Sequence, residues 1–527
     1  MLAITVDNRI RIRLHLNQNN YPKPLAGVKR DLTIPNPEYL EAVKYNNYPK
    51  LLAEVKRDLT IPNPEYLEAV KYNRSTWNIP QNIVLFDYDQ VTKGLSLPRG
   101  YMGHLLGLFR RYGIDYNLVD NRSMCSKVLF DSQIKLRPYQ VPAIDAVLRG
   151  TQGILEAPAG SGKTEMGLEI VARMGQPALW LTHTRDLAEQ VIARAESRLG
   201  IPRDEIGMLG AGQERIGERL TVGIIQKLIR MDLTPLISRF GLVLLDECHH
   251  SPAATWSEVI NQFRARYRYG VTATLRRGDS LEVITHRVIG PTLYQVPRNA
   301  VEASGGVIIP ALRVIRTGIE SEVWQKHQER DKAWKELSKQ YKERGMREPQ
   351  KPLAPYADIL REIIESQQRN ELILNTLKKE CPGHCSLVLS KRVEHCGYLA
   401  NMLAEIAPSL KIATIHGKMG KKQREETIEK MKTGKLDVLF AVNIAKEGLD
   451  IPRLDRLFLM CSGRNEAEIE QMVGRIQRAY PGKDGAVVFD FVDNKIGVLQ
   501  NQYYARRRVY KRLGMIPQGK GKEKAIS

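Results

Sequence analysis

The stretch EAPAGSGKTEMG, residues 156–167, ends an apolar run typical of a strand and leads into a run with helical spacing. Gly160 and Gly162 let backbone N–H groups approach phosphate oxygens, and the start of a helix adds free N–H groups and its dipole. Lys163 can reach the β- and γ-phosphates of a nucleotide, and Thr164 can hold Mg²⁺. The order of strand, glycine loop, Gly-Lys-Thr and helix predicts a nucleotide-phosphate-binding loop rather than a glycine turn with a chance lysine. The residues expected to hold the nucleotide here are Pro158, Ala159, Gly160, Ser161, Gly162, Lys163 and Thr164.

A second motif, LLDECHH at residues 244–250, ends another apolar strand. Enzymes that hydrolyse nucleotides place an acid at such a strand end, beside the phosphate loop, to hold Mg²⁺. Asp246 is predicted to hold the metal, directly or through water, and Glu247 to orient and deprotonate the attacking water. The neighbouring cysteine and histidines could suggest zinc. Consecutive side chains on a strand point to opposite faces, however, and do not converge on one ion.

The charge balance points to a polyanionic partner. The 527 residues include 80 Lys and Arg against 59 Asp and Glu, so the net charge is 80 − 59 = +21. A chain this basic attracts nucleic acid at long range. The hydrophobic content of 43% with 26% charged residues is typical of a soluble globular protein of two to four domains. No apolar run has the length of a bilayer span or of a signal-peptide core. We therefore expect no membrane partner and a cytoplasmic location, nucleoid-associated if the source is bacterial or phage.

The six cysteines are few and scattered, which suits a reducing compartment better than a disulfide framework. One group of them remains open as a second zinc candidate. Cys381, His384 and Cys385 lie within the stretch CPGHC, and His395 and Cys396 follow. The sequence does not decide whether they bind a metal.

Short apolar strands alternate with helical runs between residues 135 and 300, and again between 385 and 492. Such alternation indicates mostly parallel sheets flanked by helices. The predicted fold class is α/β, with two tandem parallel-sheet domains, a small N-terminal α+β module and a helical insertion. The expected boundaries are 1–130 for the module, 131–304 and 305–495 for the two sheet domains, about 320–352 for the insertion, and 496–527 for a basic C-terminal tail.

An internal repeat lies near the N-terminus, where residues 20–46 and 47–73 differ at only two positions. Solenoid repeats keep a core pattern and drift elsewhere, so near identity indicates a recent duplication or an artefact. We expect one copy to pack in the module and the other to loop out. After the repeat, hydrophobic periodicity predicts strands at 82–90 and 114–120 and a helix at 101–113.

Two charged segments leave alternatives open. The charged stretch 321–352 carries aromatic and leucine side chains at helical spacing. This pattern is typical of a helical insertion between the domains, and equally of a solvated helix that caps the second sheet domain. The stretch YYARRRVYKRLG, residues 503–514, interleaves aromatic and basic residues. That composition suits stacking and phosphate contact, and it suits equally well a basic helix docked on its own domain.

In order and spacing, these motifs resemble superfamily 2 helicases and translocases of the DEAD/DEAH type, here with the variant DECH, over roughly residues 135–492. The resemblance implies two RecA-like domains and a nucleic-acid-stimulated ATPase that uses ATP and Mg²⁺. In LRPYQ, residues 136–140, it implies that Gln140, with Arg137, contacts the adenine end of the nucleotide. The strand-end loops of both domains are implied to grip the nucleic-acid backbone, through Thr184, Arg185, Gln226, Lys391, His416 and Lys446.

The resemblance covers two further motifs of the second domain. NIAKEGLDIP, residues 443–452, looks like the motif that contacts both nucleic acid and ribose, with Gly448 and Asp450. QMVGRIQRAYPGK, residues 471–483, looks like the arginine-finger motif. Its implied catalytic residues are Gln471, Arg475 and Arg478.

Within the superfamily, the run TATLRRGD, the compact domains and the helical insertion look most like the XPB/UvsW/type III restriction branch. The insertion would correspond to the thumb-like element of XPB-type proteins. One departure is the Arg-Gly-Asp at residues 277–279, where that branch has Arg-Glu-Asp, which puts a duplex-sensing role there in doubt.

These observations favour an ATP-dependent DNA helicase or translocase that moves on or remodels single-stranded, branched or duplex DNA in repair, recombination or fork processing. One alternative is an RNA helicase. Another is the motor subunit of a restriction or defence complex with a nuclease partner, and a repair protein is a further possible partner. A binding module with an inactive ATPase is disfavoured because Lys163, Asp246, Glu247 and Arg478 are all present.

Overall fold

The computed structural model divides the chain into two compact units, Met1–Val301 and Glu302–Ser527. The described part contains no helix with the length and apolar character needed to cross a bilayer. The structure describes residues 2–7, 9–14, 48–71, 74–89, 94–210, 212–248, 253–273, 275, 281–442, 451–461, 463 and 465–516.

The first unit begins with a small α+β region. Its elements are β1 (Leu2–Val6), β2 (Arg9–Leu14), α1 (Tyr48–Asp58), β3 (Thr60–Pro62), α2 (Pro64–Lys71), β4 (Asn82–Val84), β5 (Asp87–Asp89), β6 (Gly94–Pro98), α3 (Met102–Tyr112) and β7 (Tyr116–Asp120). Five of the strands form one sheet in the order β5-β6-β2-β1-β7. Strand β2 reads RIRIRL, and the alternation buries Ile10 and Ile12 completely, whereas Arg9 and Arg11 are partly exposed.

The second copy of the repeat belongs to this core. Leu51 and Val55, one helical turn apart on α1, are buried against the sheet together with Leu59. The first copy, residues 20–46, lies outside the described residues. The expectation that one copy packs in the module therefore agrees with the structure, and the fate of the other stays a prediction.

The single strand predicted at 82–90 is wrong. The structure splits it into β4, which pairs with β3 in a separate two-stranded ribbon, and β5, at the edge of the five-stranded sheet. Leu85 and Phe86, between the two strands, pack against the hydrophobic core instead of continuing a ladder. The backbone N–H of Leu85 donates to the carbonyl of Leu59 at 2.9 Å. Tertiary packing therefore overrides the local strand pattern.

The larger part of the first unit is an eight-stranded sheet with helices on its faces. Its elements are α4 (Gln140–Arg149), β8 (Gln152–Glu156), α5 (Lys163–Met174), β9 (Ala178–Thr182), α6 (Arg185–Leu199), β10 (Gly207–Gly210), β11 (Gln213–Arg215), β12 (Leu220–Ile224), α7 (Ile225–Leu228), β13 (Leu242–Asp246), α8 (Ala253–Ile260), β14 (Tyr267–Thr272), α9 (Glu282–Val288), β15 (Thr292–Gln295) and α10 (Arg298–Ala303).

The strand order is β11-β10-β12-β9-β13-β14-β8-β15, and every pair except β10–β11 is parallel. Central strands such as β13, with sequence LVLLD, are buried at every position because helices cover both faces of the sheet. All the parallel strands end at one edge. Loops that follow β8, β9, β12 and β13 are therefore neighbours there, and this edge carries the predicted motifs.

Arg99 joins the N-terminal region to this sheet. Its guanidinium is fully buried and donates to the carbonyl oxygens of Ala265 at 2.6 Å and Arg266 at 3.0 Å, and to Oε1 of Gln152 at 2.7 Å. Burial, with the nearby charge of Arg268, lowers the pKa of Arg99. A buried guanidinium needs several acceptors, so these bonds fix the region on the sheet.

The second unit contains a six-stranded, all-parallel sheet in the order β16-β21-β20-β17-β19-β18. Its elements are β16 (Ala311–Arg316), α11 (Glu322–Glu343), α12 (Tyr356–Glu365), α13 (Gln367–Glu380), β17 (Ser386–Ser390), α14 (Val393–Ile406), β18 (Ile412–Ile415), α15 (Lys421–Lys432), β19 (Val438–Val442), β20 (Arg456–Leu459), α16 (Glu466–Ile476), β21 (Val487–Val492) and α17 (Gly497–Arg512). The predicted α/β class with parallel-sheet domains and a helical insertion is confirmed.

The insertion is the 22-residue helix α11, and the chain that follows folds back along it. The indole N–H of Trp334 donates to the carbonyl of Pro349 at 2.8 Å, and Ser338 donates to a carboxylate oxygen of Glu348 at 2.5 Å. Lys351 lies over the ring of Trp334. These contacts hold the segment that follows α11 against the helix.

For the C-terminal basic segment, the structure has a docked helix. Arg506 on α17 is buried and donates two hydrogen bonds of 2.8 Å to Asp490 of β21, and the hydroxyl of Tyr510 donates to the same carboxylate at 2.7 Å. Arg512 pairs with Glu466 and Glu470. The predicted interleaving of aromatic and basic residues thus serves the packing of α17 on its own sheet.

Candidate nucleotide site and nucleic-acid-facing loops

The phosphate loop connects β8 to α5, as the sequence predicted. Gly160 and Gly162 have φ of 80° and 78°, in the left-handed region that favours glycine. The N–H of Ala157 donates to the carbonyl of Thr272 on β14 at 2.9 Å, which fixes the start of the loop. Helix α5 begins at Lys163, so its free N–H groups and positive dipole end face the loop.

Two side chains at the start of α4, those of Tyr139 and Gln140, contact the phosphate loop. Gln140 donates from Nε2 to the carbonyl of Ser161 at 2.8 Å, and the hydroxyl of Tyr139 donates to the same carbonyl at 2.9 Å. Oε1 of Gln140 accepts the N–H of Arg137 at 2.8 Å. Gln140 therefore lies beside the phosphate loop, and its predicted contact with adenine stays a prediction. The sequence analysis missed Tyr139, although it lies within the quoted LRPYQ.

Lys163 and Glu247 meet at the carboxyl edge of the sheet. Nζ of Lys163 lies 3.3 Å from Oε1 of Glu247, and both side chains are mostly buried. Glu247 follows β13 with φ of 47°, and it is the one non-glycine residue with positive φ in the described part of the chain. A bulky residue held in this region is strained, and such strain concentrates at functional sites.

Asp246 lies at the end of β13 and is 7% exposed. Burial, together with the neighbouring charge of Glu247, raises its pKa to about 7, and Lys163 acts in the opposite direction. Two adjacent carboxylates with one lysine leave negative charge that lacks full compensation. That is the electrostatic setting in which a divalent cation binds.

The residues present fit the Mg²⁺ that the phosphate loop implies. The hard oxygen donors are the carboxylate of Asp246 and the hydroxyl of Thr164, on the first turn of α5. Among the described residues no group of three or more His, Cys, Asp or Glu could hold a metal by itself. A site with few protein ligands is typical of Mg²⁺, which takes one or two carboxylates and completes its shell with phosphates and water.

Two further residues of the site carried no signal in the sequence. Nε2 of His183, just after β9, lies 3.2 Å from the carbonyl oxygen of Glu247. Trp180 on β9 is buried, and its indole N–H acts to lower the pKa of Asp246. Only the pairing of β9 with β13 brings these side chains to the acidic pair.

The nucleic-acid residues predicted in the first unit follow β9 and β12, at the same edge. Thr184 caps α6, where its hydroxyl oxygen accepts the N–H of Leu187 at 3.3 Å, and Arg185 is exposed on the first turn. Gln226 is exposed on the short helix α7. The structure places these three residues on the edge that carries the phosphate loop, and their contacts with nucleic acid stay predictions.

In the second unit, Lys391 and His416 follow β17 and β18. The ammonium of Lys391 donates to the hydroxyl of Tyr356 at 3.0 Å, so it is engaged within its own unit. Nδ1 of His416 is buried and has no partner among the residues that the structure describes. The predicted contacts of Lys446, Gly448 and Asp450 lie outside the described residues.

Gln471 and Arg475 lie on α16, and Arg478 follows the end of that helix. Burial lowers the pKa of Arg475 to about 10. A guanidinium withdrawn from water in this way interacts strongly with any anion that reaches it. The predicted catalytic roles of these three residues stay predictions.

The second zinc candidate does not assemble. His384 contacts Asp455 through Nδ1 at 2.6 Å and Arg456 through Nε2 at 2.7 Å. His395 is occupied by Ser390 and Asn370, at 2.9 and 3.0 Å. The described residues contain no candidate metal cluster, and His249 and His250 of the first candidate lie outside them.

The fold and the site together define a class, the phosphate-loop nucleotide hydrolases with RecA-like parallel sheets. Comparison with known proteins identifies related families within this class. Residues 133–277 match the family described as "Type III restriction enzyme, res subunit". Residues 368–480 match the "Helicase conserved C-terminal domain".

Among curated relatives, "DNA 3'-5' translocase XPB2" of Sulfurisphaera tokodaii is 25% identical over 383 residues, 69% of this chain and 83% of the relative. "Probable helicase D10" of Escherichia phage T5 is 26% identical over 414 residues, 78% of this chain and 82% of that protein. Among solved structures, Dbp5 of S. cerevisiae bound to RNA and ADP BeF3 covers 73% of this chain and 89% of its own, with TM-score 0.50 and 13% identity. That likeness concerns the fold alone.

The chain is a superfamily 2 helicase, an ATP-hydrolysing enzyme related to the XPB and type III restriction branch. The predicted resemblance and the predicted enzyme class are confirmed. The shared family also implies nucleic-acid binding, which agrees with the net charge of +21.

Proposed function

We propose that the chain couples ATP hydrolysis to movement on, or remodelling of, DNA. The observation that carries the proposal is the contact between Nε2 of His183 and the carbonyl of Glu247 at 3.2 Å. His183 lies in the loop that continues into Thr184 and Arg185, the predicted nucleic-acid contacts, and Glu247 is the predicted catalytic base. A shift of the loop that contacts the nucleic-acid backbone would therefore directly move Glu247, the residue that activates water.

The proposed chemistry uses the residues at the carboxyl edge of the sheet. Lys163 neutralises charge on the β- and γ-phosphates, and the loop N–H groups around Gly160 and Gly162 orient them. Asp246 and Thr164 would hold Mg²⁺, which supplies further neutralisation of phosphate charge when bound. Glu247 then takes the proton of the attacking water, a role that requires Lys163 to exchange its partner from Glu247 to the phosphates.

Gln471, Arg475 and Arg478, all in the second unit, are proposed as further catalytic residues of ATP hydrolysis. Their residue types and motif support this role, since a guanidinium matches phosphate geometry with two donors. Removal of an arginine finger typically lowers the rate by about 10³–10⁵.

The domain boundaries 1–130, 131–304, 305–495 and 496–527 are also part of the proposal. A cytoplasmic location is proposed as well.

DNA is favoured over RNA as the polymer because the named activity of the relative from Sulfurisphaera tokodaii is a DNA translocase. The grip itself would be sequence-neutral, because backbone N–H groups, hydroxyls and arginines contact phosphates rather than base edges. It should weaken steeply with salt as counterions are released. A repair, recombination or fork-processing role belongs to this proposal.

The test is the ATPase rate measured side by side without nucleic acid and with single-stranded DNA, duplex DNA, branched DNA and single-stranded RNA. Lys163→Ala serves as the control that removes phosphate binding. Stimulation by DNA, strongest on branched DNA, supports the proposal, whereas stimulation by RNA alone would show an RNA helicase. Glu247→Gln should abolish turnover and retain nucleic-acid binding, and turnover at the wild-type rate in either variant would refute the site.

A second candidate is the motor subunit of a restriction or defence complex. The match of residues 133–277 to a restriction-enzyme subunit family favours it. In that case a separate nuclease cuts, and this chain supplies movement. Copurification of a nuclease with the tagged chain from its native source, followed by ATP-dependent DNA cleavage, would support this candidate over an enzyme that acts alone.

A further inference from the structure

The loop that carries Arg478 is held by a lysine seven residues after the end of its helix. Helix α16 ends at Ile476, and Nζ of Lys483 donates to the carbonyl of Ile476 at 2.7 Å and to that of Arg478 at 2.9 Å. The last carbonyls of a helix have no intrahelical partner, and a cation there also favours the negative end of the dipole. Lys483 thus caps the helix and the arginine loop with one ammonium group.

A proline-glycine turn returns the lysine to this position. The N–H of Lys483 donates to the carbonyl of Tyr480 at 3.0 Å, and Gly482 has φ of 77°. Pro481 and Gly482 occupy the two central positions, which is the residue pattern of a type II turn. The sequence YPGK therefore encodes a return of the chain that is set by the turn residues themselves.

The conformation of the arginine loop requires stabilising contacts. The side chain of Gln477, between the two arginines, is fully buried, and neither polar atom of its amide has a hydrogen-bond partner within the described residues. A buried amide without partners opposes the conformation that buries it. Backbone hydrogen bonds stabilise the loop against this cost. The N–H of Ile308 donates to the carbonyl of Gln477 at 2.7 Å, and Val307 forms an antiparallel bridge with Arg478. Lys483 adds the charged contacts.

Lys483 is partly buried, and its charge is sensitive to pH. Burial lowers its pKa to about 8, and Arg478 acts in the same direction, whereas Asp455 and Cys385 favour the ammonium form. Asp455 is itself bound to His384 and to the N–H of Cys385. The ammonium therefore carries its charge below pH about 8 and loses it above that value.

We propose that Lys483 is a positioning residue for ATP hydrolysis, which fixes the backbone of the arginine loop and with it the position of Arg478. The proposal rests on the proposed function, in which Arg478 contributes to catalysis. Lys483 contacts the carbonyl oxygens of Ile476 and Arg478 in this loop. Its removal should therefore change turnover through Arg478 and leave ATP binding by the first unit in place.

The test is a double-mutant cycle on the full chain, with ATPase turnover in the presence of saturating DNA. Lys483→Met removes the donor at similar length, and a misplaced catalytic group of this kind costs about 10- to 100-fold in rate. We expect such a loss in kcat, less than about a threefold change in the KM for ATP, and an unchanged thermal midpoint. In an Arg478→Ala background, Lys483→Met should have no further effect. Lys495→Met is the matched control, because Lys495 pairs with Glu320 elsewhere in the same unit.

A pH series adds a readout that a purely structural role would not change. The ratio of wild-type to Lys483→Met turnover cancels every other titration, and it should fall above pH about 8 as the ammonium loses its proton. Wild-type turnover in Lys483→Met, an equal loss in the Arg478→Ala background, or a ratio that stays constant to pH 10 would overturn the proposal. Full turnover in Arg478→Ala alone would instead overturn the proposed role of Arg478 in the function itself.

Discussion

The ammonium of Lys163 and the carboxylate of Glu247 lie 3.3 Å apart, between the first residue of α5 and the residue that follows β13. In the proposed mechanism this ion pair separates when a nucleotide binds, because Lys163 moves to the phosphates and Glu247 to the attacking water. The pair thus couples two halves of the site that are 84 positions apart in the chain. Its geometry also depends on the strained backbone of Glu247.

The strain at Glu247 gives a stability prediction. At φ of 47° a residue with a Cβ is disfavoured, whereas glycine is not. We expect Glu247→Gly to be more stable than Glu247→Ala by about 1 kcal/mol, although both lose the carboxylate and all turnover. Urea denaturation of the two variants measures the difference. A more stable alanine variant would mean that the backbone of Glu247 is not held in the left-handed region.

The contact between His183 and Glu247 predicts a loss of coupling. His183→Ala removes the ring that reaches the carbonyl of Glu247, so stimulation of the ATPase by DNA should fall by at least about fivefold, the lower range of measured site-to-site couplings. His183→Gln is the control, since its amide keeps an N–H donor at similar reach. The measurement is the ratio of rates with and without DNA. An unchanged ratio in His183→Ala would remove this contact from the mechanism.

The packing of α5 on the sheet predicts a specific clash. A Cβ added to Gly167 would lie 2.4 Å from Cη2 of Trp180, so in Gly167→Ala either the ring of Trp180 or the helix that carries Lys163 must shift. Overpacking of this kind costs about 1–3 kcal/mol, and it should raise the KM for ATP. Trp180→Leu in the same chain should restore much of the stability. Gly397→Ala on α14, where an added Cβ meets nothing within 4 Å, should be neutral or stabilising.

His395 predicts how stability depends on pH. Burial, with the nearby charge of Arg369, lowers its pKa to about 3, so the folded chain holds it neutral while the unfolded chain protonates it near pH 6.5. The contribution of His395 to the free energy of unfolding is complete above pH 6.5. It is lost as the pH falls, by about 2 kcal/mol between pH 6.5 and 5.

Denaturant titrations at pH 7, 6 and 5 measure this slope. His395→Gln, which can still bond to Ser390 and Asn370, should remove that part of the pH dependence. An equal slope in both proteins would assign the dependence to other groups.

The sequence by itself determined the class of the fold and the position of the phosphate loop between β8 and α5. The strand patterns around Gly160, Lys163 and Asp246 are local, because alternation and turn chemistry depend on neighbours in the chain. Local patterns also led to one error, the strand at 82–90, where the packing of Leu85 and Phe86 decided the outcome.

Only the tertiary structure decided which side chains meet across the chain. The pairing of β9 with β13 brings His183 and Trp180 to the acidic pair, and neither residue type signals such a role. In the same way, the fold assigns His395 to a buried hydrogen-bond network rather than to zinc, and it returns Lys483 to the arginine loop. Periodicity records which face a residue occupies, whereas strand order and long-range packing fix which residues share that face. The chain alone does not specify that order until the whole sheet is assembled.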